Sequence, residues 1–331
     1  MGRVLDQVRA QDTAVETLRR ALANGRVHHA LLFDGPDGVG KELVAFGLAQ
    51  ALVCAEPQDG QACGACSACS RAVPREGEDR PVHPDVVVLE RGLYEPAQIG
   101  RRTPESQEIS IDQVRTLVLA RAAFAPHEGR AKVFIIRRAE ELSTSAANAL
   151  LKTLEEPGQR THFILLSAQA DSLLPTIRSR TLRVRFGALP DALVAELLAA
   201  RGVDAEAAAR IAKIASGSMA VAQTHADPEA SERRERFLAQ VKAALAGPSL
   251  AAALALAEEA KKDKAALAPG LIALATELAA EARAHAGATD DDTADAAAAR
   301  FRMVQTALVA LDGNASPQLT AESLLIRMRG V

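Results

Sequence analysis

The chain has 331 residues, enough for two or three domains with separate cores. A formal net charge of −3, 3% aromatic residues and no Trp exclude a chain-wide cationic footprint for nucleic acid and point to cores of aliphatic residues on helices. No run reaches the roughly 18 apolar residues of a membrane span, and Met1-Gly2-Arg3-Val4-Leu5-Asp6 has no apolar signal region, so a cytoplasmic protein is expected.

Asp6 to Gly25 has a helical pattern, with Val8, Ala14, Val15, Leu18, Ala21 and Leu22 on one face. His28 and His29 follow; as neighbours on a strand they would point to opposite faces, which disfavours a shared metal. The apolar run Ala30 to Phe33 then feeds Gly35-Pro36-Asp37-Gly38-Val39-Gly40-Lys41, and a helical pattern starts at once. Strand, G-x-x-x-x-G-K and helix make a phosphate-binding loop. Gly35, Gly38 and Gly40 let the backbone turn its N–H groups inward, and Lys41 reaches the outer phosphates. The motif asks next for Ser or Thr, whose hydroxyl holds Mg²⁺; this chain has Glu42. A carboxylate can also bind Mg²⁺, so Glu42 alone does not decide the chemistry.

All four cysteines follow within a short segment, Cys54, Cys63, Cys66 and Cys69, spaced C-x8-C-x2-C-x2-C. In a reducing compartment such clustering predicts metal ligands rather than disulfides. Four thiolates suit a closed, structural Zn²⁺ site, and Gly60 and Gly64 supply tight turns. This zinc module reads as an insertion from Cys54 to about Pro84.

Val86 to Leu89 predicts a buried strand, and Arg91 to Glu108 a polar loop carrying Arg101 and Arg102. Ser110 and Gln113 have capping-box spacing before the next helix. Lys132 to Ile136 is a further buried strand. Phosphate-loop ATPases end this strand in acidic residues that orient Mg²⁺ and the attacking water. Here Arg137 and Arg138 stand instead, which removes the metal ligand and the base; as ordinary strand-end charges they would face Glu140 and Glu141. A helix containing Leu150, Leu151 and Leu154, a strand His162 to Ser167, the segment Leu174-Pro175-Thr176-Ile177-Arg178-Ser179-Arg180-Thr181 and a short strand to Phe186 complete this part. Arg178, Arg180, Arg183 and Arg185 form a local basic stripe, a candidate DNA contact or interface.

From these blocks, together with Asn148 to Pro157, the chain resembles the bacterial clamp-loader branch of the AAA+ ATPases over about residues 4–187, and within that branch the delta-prime family of DNA polymerase III subunits. The resemblance implies an α/β domain at 1–187 with the zinc module at about 54–84, a helical lid at 188–227 and a helical collar at 228–331 that joins subunits into a ring. The predicted helices are Asp191–Ala200, Asp204–Ala215 and Met219–Thr224 in the lid. In the collar they are Glu229–Ala246, Leu250–Lys262, Ala266–Ala286, Ala298–Leu311 and Thr320–Arg329, with a solvated turn at Gly287 to Asp292. The sensor positions of motor subunits fall on Gln169 and near Ala220, after Gly217-Ser218, and Ala220 cannot touch a phosphate. Ser179-Arg180 matches the motif that offers an arginine finger to a neighbouring subunit, with Thr181 in place of Cys.

The implied role is a non-catalytic stator that completes a neighbour's ATP site with Arg180 while the sliding clamp is loaded on primed DNA. It would assemble with gamma/tau-type motor and delta-type subunits in a hetero-pentamer, carry structural zinc, and bind nucleotide weakly or not at all at Lys41. One alternative is an active ATPase, of motor type or a small phosphate-loop kinase. Another is a zinc-dependent nucleic-acid binder, which the scarcity of aromatic residues disfavours.

Overall fold

Continuous apolar runs bury strands on both faces, and here they assemble one parallel sheet. The computed structural model describes residues 2–100, 108–247, 249–262, 264–285, 291–313 and 315–330. Strands β1 (Ala30–Asp34), β2 (Val86–Leu89), β3 (Lys132–Ile136), β4 (Thr161–Ser167) and β5 (Leu182–Arg185) pair in the order β2-β3-β4-β1-β5. All four pairings are parallel. β2 and β3 are buried throughout, whereas β5, at the edge, exposes Leu182, Arg183 and Arg185. Phe134 and Phe163 stack across β3 and β4 with centroids 5.1 Å apart.

Helix α1 (Asp12–Ala23) precedes the sheet. α2 (Lys41–Val53) leaves β1, and the short α3 (Ser67–Arg71) lies in the cysteine segment. Between β2 and β3, α4 (Ile111–Gln113), a π-helical stretch (Val114–Leu119) and α5 (Ala120–Ala122) run continuously. α6 (Thr144–Glu155) links β3 to β4, and α7 (Pro175–Arg178) precedes β5. α8 (Asp191–Ala199), α9 (Ala205–Ala215) and α10 (Met219–Ala226) follow, within a residue or two of expectation.

The chain divides into compact units at 1–223 and 224–331. The second unit is helical: α11 (Pro228–Ala246), α12 (Ala251–Lys262), α13 (Lys264–His285), α14 (Asp291–Asp312) and α15 (Pro317–Met328) surround a core that includes Val241, Leu256, Leu271, Val304 and Leu325. A Cβ on Gly270 would come within 2.8 Å of the Phe237 ring, so glycine is what lets α13 approach α11. α14 begins seven residues earlier than the periodicity implied. Among the described residues, no helix is long and apolar enough to cross a membrane.

Three expectations change. The predicted helix from Asp6 splits into a 3₁₀ turn (Val4–Gln7) and α1, because Ala10 takes φ 58°, which no helix tolerates. His28 and His29 precede β1, and their rings stack 4.4 Å apart rather than opposing one another. Ser110 caps its helix by accepting from the Gln113 N–H at 3.3 Å, but the Gln113 amide donates to the Glu90 carbonyl at 3.2 Å, so the reciprocal half of the box is missing. Arg101, Arg102 and the turn at Gly287 to Asp290 lie outside the described residues.

Candidate functional site

Parallel strands place the phosphate loop at the C-terminal edge of the sheet, between β1 and α2, where such sheets take ligands. Gly38 has φ 73° and Gly40 φ 100°, and a Cβ on Gly35 would lie 2.3 Å from the Phe186 carbonyl oxygen. The loop is therefore formed as its glycines require. The residues around Ser218 to Ala220 close over the loop. Ser218 Oγ donates to the Asp37 carbonyl at 2.6 Å, and the Met219 N–H, at the start of α10, to the Gly38 carbonyl at 3.2 Å. Ala220 packs so closely that a side chain at Gly38 would meet its amide at 2.2 Å. Lys41 turns its amine back onto the loop, donating to the Pro36 carbonyl at 2.7 Å and to the Gly35 carbonyl. Burial pushes its pKa below the ordinary lysine value, against the pull of Asp37.

The two positions from which the motif draws its metal ligands are paired with each other. Arg137 forms an ion pair with Glu42, a second with Glu90 at 2.7 Å, and a hydrogen bond to the Asp79 carbonyl at 2.9 Å. The guanidinium also lies over the Phe46 ring, 5.9 Å from its centroid. Its side chain is only 13% exposed. Burial opposes its charge, yet Glu42 and Glu90 hold its pKa above the usual value. These residues do not fit Mg²⁺, since the carboxylates already surround a cation that cannot be deprotonated. Arg137 is thus not a solvated strand-end charge facing Glu140. Arg138 is: it is exposed and meets Glu141 at 3.3 Å. Gln169 is exposed after β4.

At the far end of α2, roughly 20 Å from Lys41 at helical rise, the four cysteines converge. Their sulfurs all lie within 4.8 Å of one another, with Cys54 and Cys66 3.9 Å apart and Cys63 and Cys69 3.8 Å apart. No disulfide joins them. Backbone N–H groups aim at the sulfurs: Cys63 N–H to Cys54 Sγ at 3.3 Å, Cys66 N–H to Cys63 Sγ at 3.3 Å and Cys69 N–H to Cys66 Sγ at 3.4 Å. Burial raises the Cys66 pKa, but the N–H groups of Cys69 and Ala55 and the neighbouring Cys69 and Cys63 thiols outweigh it and bring the pKa down to about 6. Burial pushes the Cys69 thiol up. The cluster could hold a metal ion. Gly60 (φ 76°) and Gly64 (φ 75°) make its turns, and Gly60 abuts the Leu22 carbonyl so tightly that a Cβ would stand 2.3 Å from the oxygen.

Arg180 lies at the opposite edge of the sheet from the loop, since Leu182 pairs with Leu31 and the loop begins after Asp34. Strand rise sets that separation at roughly 13 Å or more, so Arg180 cannot reach its own phosphate loop. Its Nε donates to Glu155 at 2.6 Å, its Nη2 meets the same carboxylate, and its Nη1 donates to the Thr176 carbonyl at 2.9 Å. Two of the other stripe arginines are also engaged: Arg178 pairs with Asp171 at 3.1 Å and Arg183 with Asp34 at 2.7 Å. Those acids weaken the DNA reading of the stripe.

Sequence reasoning missed several partners. Buried Gln50 accepts from the Val4 N–H at 3.1 Å and donates to the Cys69 carbonyl at 3.3 Å, joining the N-terminus to the cysteine cluster. Gln11 donates to the Val39 and Gly187 carbonyls at 3.1 and 2.8 Å, clasping the loop. Asp85 accepts from three backbone N–H groups, of His127, Glu128 and Gly129, at 2.6 to 2.9 Å. Nothing in the local pattern distinguishes these from exposed polar residues.

Residues 10–190 match the family described as "DNA polymerase III, delta subunit". The DNA polymerase III subunit gamma/tau of Mycobacterium bovis is 36% identical over 193 residues, 58% of this chain and 30% of the relative. The subunit delta' of Pseudomonas aeruginosa is 36% identical over 219 residues, 65% of this chain and 60% of the relative. That of Yersinia pestis is 38% identical over 160 residues, 48% and 41% of the two chains. The chain thus spans less than two thirds of the length of these relatives.

Proposed function

The chain belongs to the DNA polymerase III delta-subunit family and is of the clamp-loader delta-prime type, and from that premise we propose that it is a non-catalytic AAA+ stator of the replicative clamp loader. The observation that carries this reading is the ion-paired cluster of Arg137, Glu42 and Glu90. It fills the metal-handling positions with an internal cation and engages both Glu42 and Glu90 in pairing with it. The motor reading draws on the gamma/tau relatives, but it requires the ligands that this cluster has consumed.

The stator acts on a neighbour. Arg180 would place its planar guanidinium against the γ-phosphoryl oxygens bound by the adjacent motor subunit, where charge develops in the transition state. Its position at the edge away from its own loop supports action in trans. Residues 228–331, with α11 to α15, would serve as the collar, and residues 188–227, with α8 to α10, as the lid. Motor and delta-type subunits are the proposed partners, the clamp and primed DNA are met through the complex, and the site of action is the cytoplasm.

Zinc is the proposed occupant of Cys54, Cys63, Cys66 and Cys69. A tetrahedron with Zn–S bonds of about 2.3 Å has edges of about 3.8 Å, which the 3.8 and 3.9 Å sulfur pairs match. The role would be structural, since four protein ligands leave no open position for substrate.

Purified alone with Mg²⁺ and ATP, the chain is expected to release no phosphate above the Lys41→Ala background, and to join motor and delta-type subunits in one assembly by size analysis. Sustained turnover that Lys41→Ala abolishes, in a preparation free of motor subunits, would establish the motor reading instead.

A further inference from the structure

Every nitrogen of the Arg180 guanidinium is engaged within its own chain. Nε and Nη2 both meet Glu155, while Nη1 donates to the Thr176 carbonyl and to Ser179 Oγ at 2.9 and 3.3 Å. A guanidinium presented to phosphoryl oxygens must use some of these same N–H groups, so this arrangement and a finger engaged in trans exclude one another in part. Glu155 is also oddly placed. It is the last residue of α6, with Glu156 beside it, at the helix end where the macrodipole disfavours negative charge. No other cation is paired to it among the described residues, and the pair is partly exposed, 32% and 46% for the two side chains. An exposed pair of this kind is weak and exchangeable, which suits a contact that is made in one state and broken in another.

We propose that Glu155 is a positioning residue that parks the arginine finger: it holds Arg180 folded onto α6 and neutralises it until a neighbour's bound nucleotide, with its larger negative charge, draws the guanidinium away. The inference rests on the finger role proposed above. It makes the free chain a poor anion binder at this edge and ties presentation of the finger to the arrival of a nucleotide-loaded neighbour.

Two measurements on the full chain test it. In the isolated protein, Glu155→Gln removes the charge with little change of shape, and arginine-selective modification by phenylglyoxal, read by mass spectrometry, should then label Arg180 several-fold faster while the labelling of Arg178 stays the same. Unchanged labelling of Arg180 overturns the latch and leaves the finger role standing. In the assembled complex, Glu155→Gln should raise ATP hydrolysis without clamp and DNA by up to about fivefold, the ceiling that the weakness of an exposed pair allows. The increase should vanish in the Glu155→Gln, Arg180→Ala double variant, an outcome that a merely structural role for Glu155 would not give. Hydrolysis lowered by Glu155→Gln to the Arg180→Ala level would mean that Glu155 supports the engaged finger, contradicting the latch. A complex in which Arg180→Ala alone hydrolyses ATP and loads clamps normally would instead overturn the finger role.

Discussion

Two arginines at opposite edges of one sheet are both ion-paired, and burial separates them. Arg137, at the C-terminal edge, has two carboxylates, a carbonyl and an aromatic ring around it and is 13% exposed. Arg180, at the other edge, has one carboxylate and is 32% exposed. A mostly buried cation with two partners is held more firmly, because releasing it would leave charge poorly solvated. An exposed one can change partners at little cost. The same residue type is thus structural where the motif expects catalysis and available where the chain faces outward.

The contrast depends on α2 being held at both ends, by the loop cluster at Lys41 and by the cysteines after Val53. The largest effect is expected there. Cys69→Ser should lower metal affinity by more than about a hundredfold, since even outer-shell changes cost 10–100-fold. Elemental analysis of protein purified without added metal should find close to one zinc per wild-type chain and little in the variant. Four freely reactive thiols and no metal in the native protein would remove the zinc reading.

Arg137→Ala, which leaves Glu42 and Glu90 facing each other, should cost about 2–3 kcal/mol, or roughly 5–10 °C in melting temperature for a unit of this size. Arg180→Ala should cost within about 0.5 kcal/mol. Thermal melts of the two variants compare the edges directly, and equal losses would erase the distinction drawn here.

A pH-dependent effect is expected at Asp85, which anchors the start of β2. Burial tends to raise its pKa, but the three backbone N–H donors outweigh that and hold it below the ordinary value. A depressed carboxylate pKa adds stability that is present above the unfolded-state value near 4 and is lost as pH falls through the folded value. Asp85→Asn should therefore cost about 1–2 kcal/mol at pH 7 and flatten the acid side of the stability profile, measured by denaturant unfolding between pH 3 and 7.

Much of the sheet could be read from the sequence, because parallel strands buried on both faces leave unbroken apolar runs such as Val86 to Leu89 and Lys132 to Ile136. The phosphate loop and the cysteine spacing could be read because their chemistry fixes residue types at short intervals. What stayed hidden was the identity of partners. Glu42 and Arg137 were each visible as departures, but their pairing joins positions 95 residues apart. Glu90 gave no signal beyond being one more acidic residue after a strand. Gln50, a polar residue within α2, is buried because the N-terminal segment folds over it, and no local pattern marks it. The break at Ala10 was missed for a related reason: the apolar periodicity runs through it, and only the backbone shows the turn.

The central claim is that this chain's contribution to ATP chemistry comes from Arg180 and not from its own loop. The direct test is single-turnover ATP hydrolysis, with clamp and primed DNA present, by complexes assembled with either Arg180→Ala or Lys41→Ala in this subunit. Loss of the finger should slow the one dependent site by roughly 10³–10⁵-fold, seen as a missing fast phase of one site's amplitude, whereas Lys41→Ala should leave the trace unchanged. A fast phase that survives Arg180→Ala and disappears with Lys41→Ala would contradict the account.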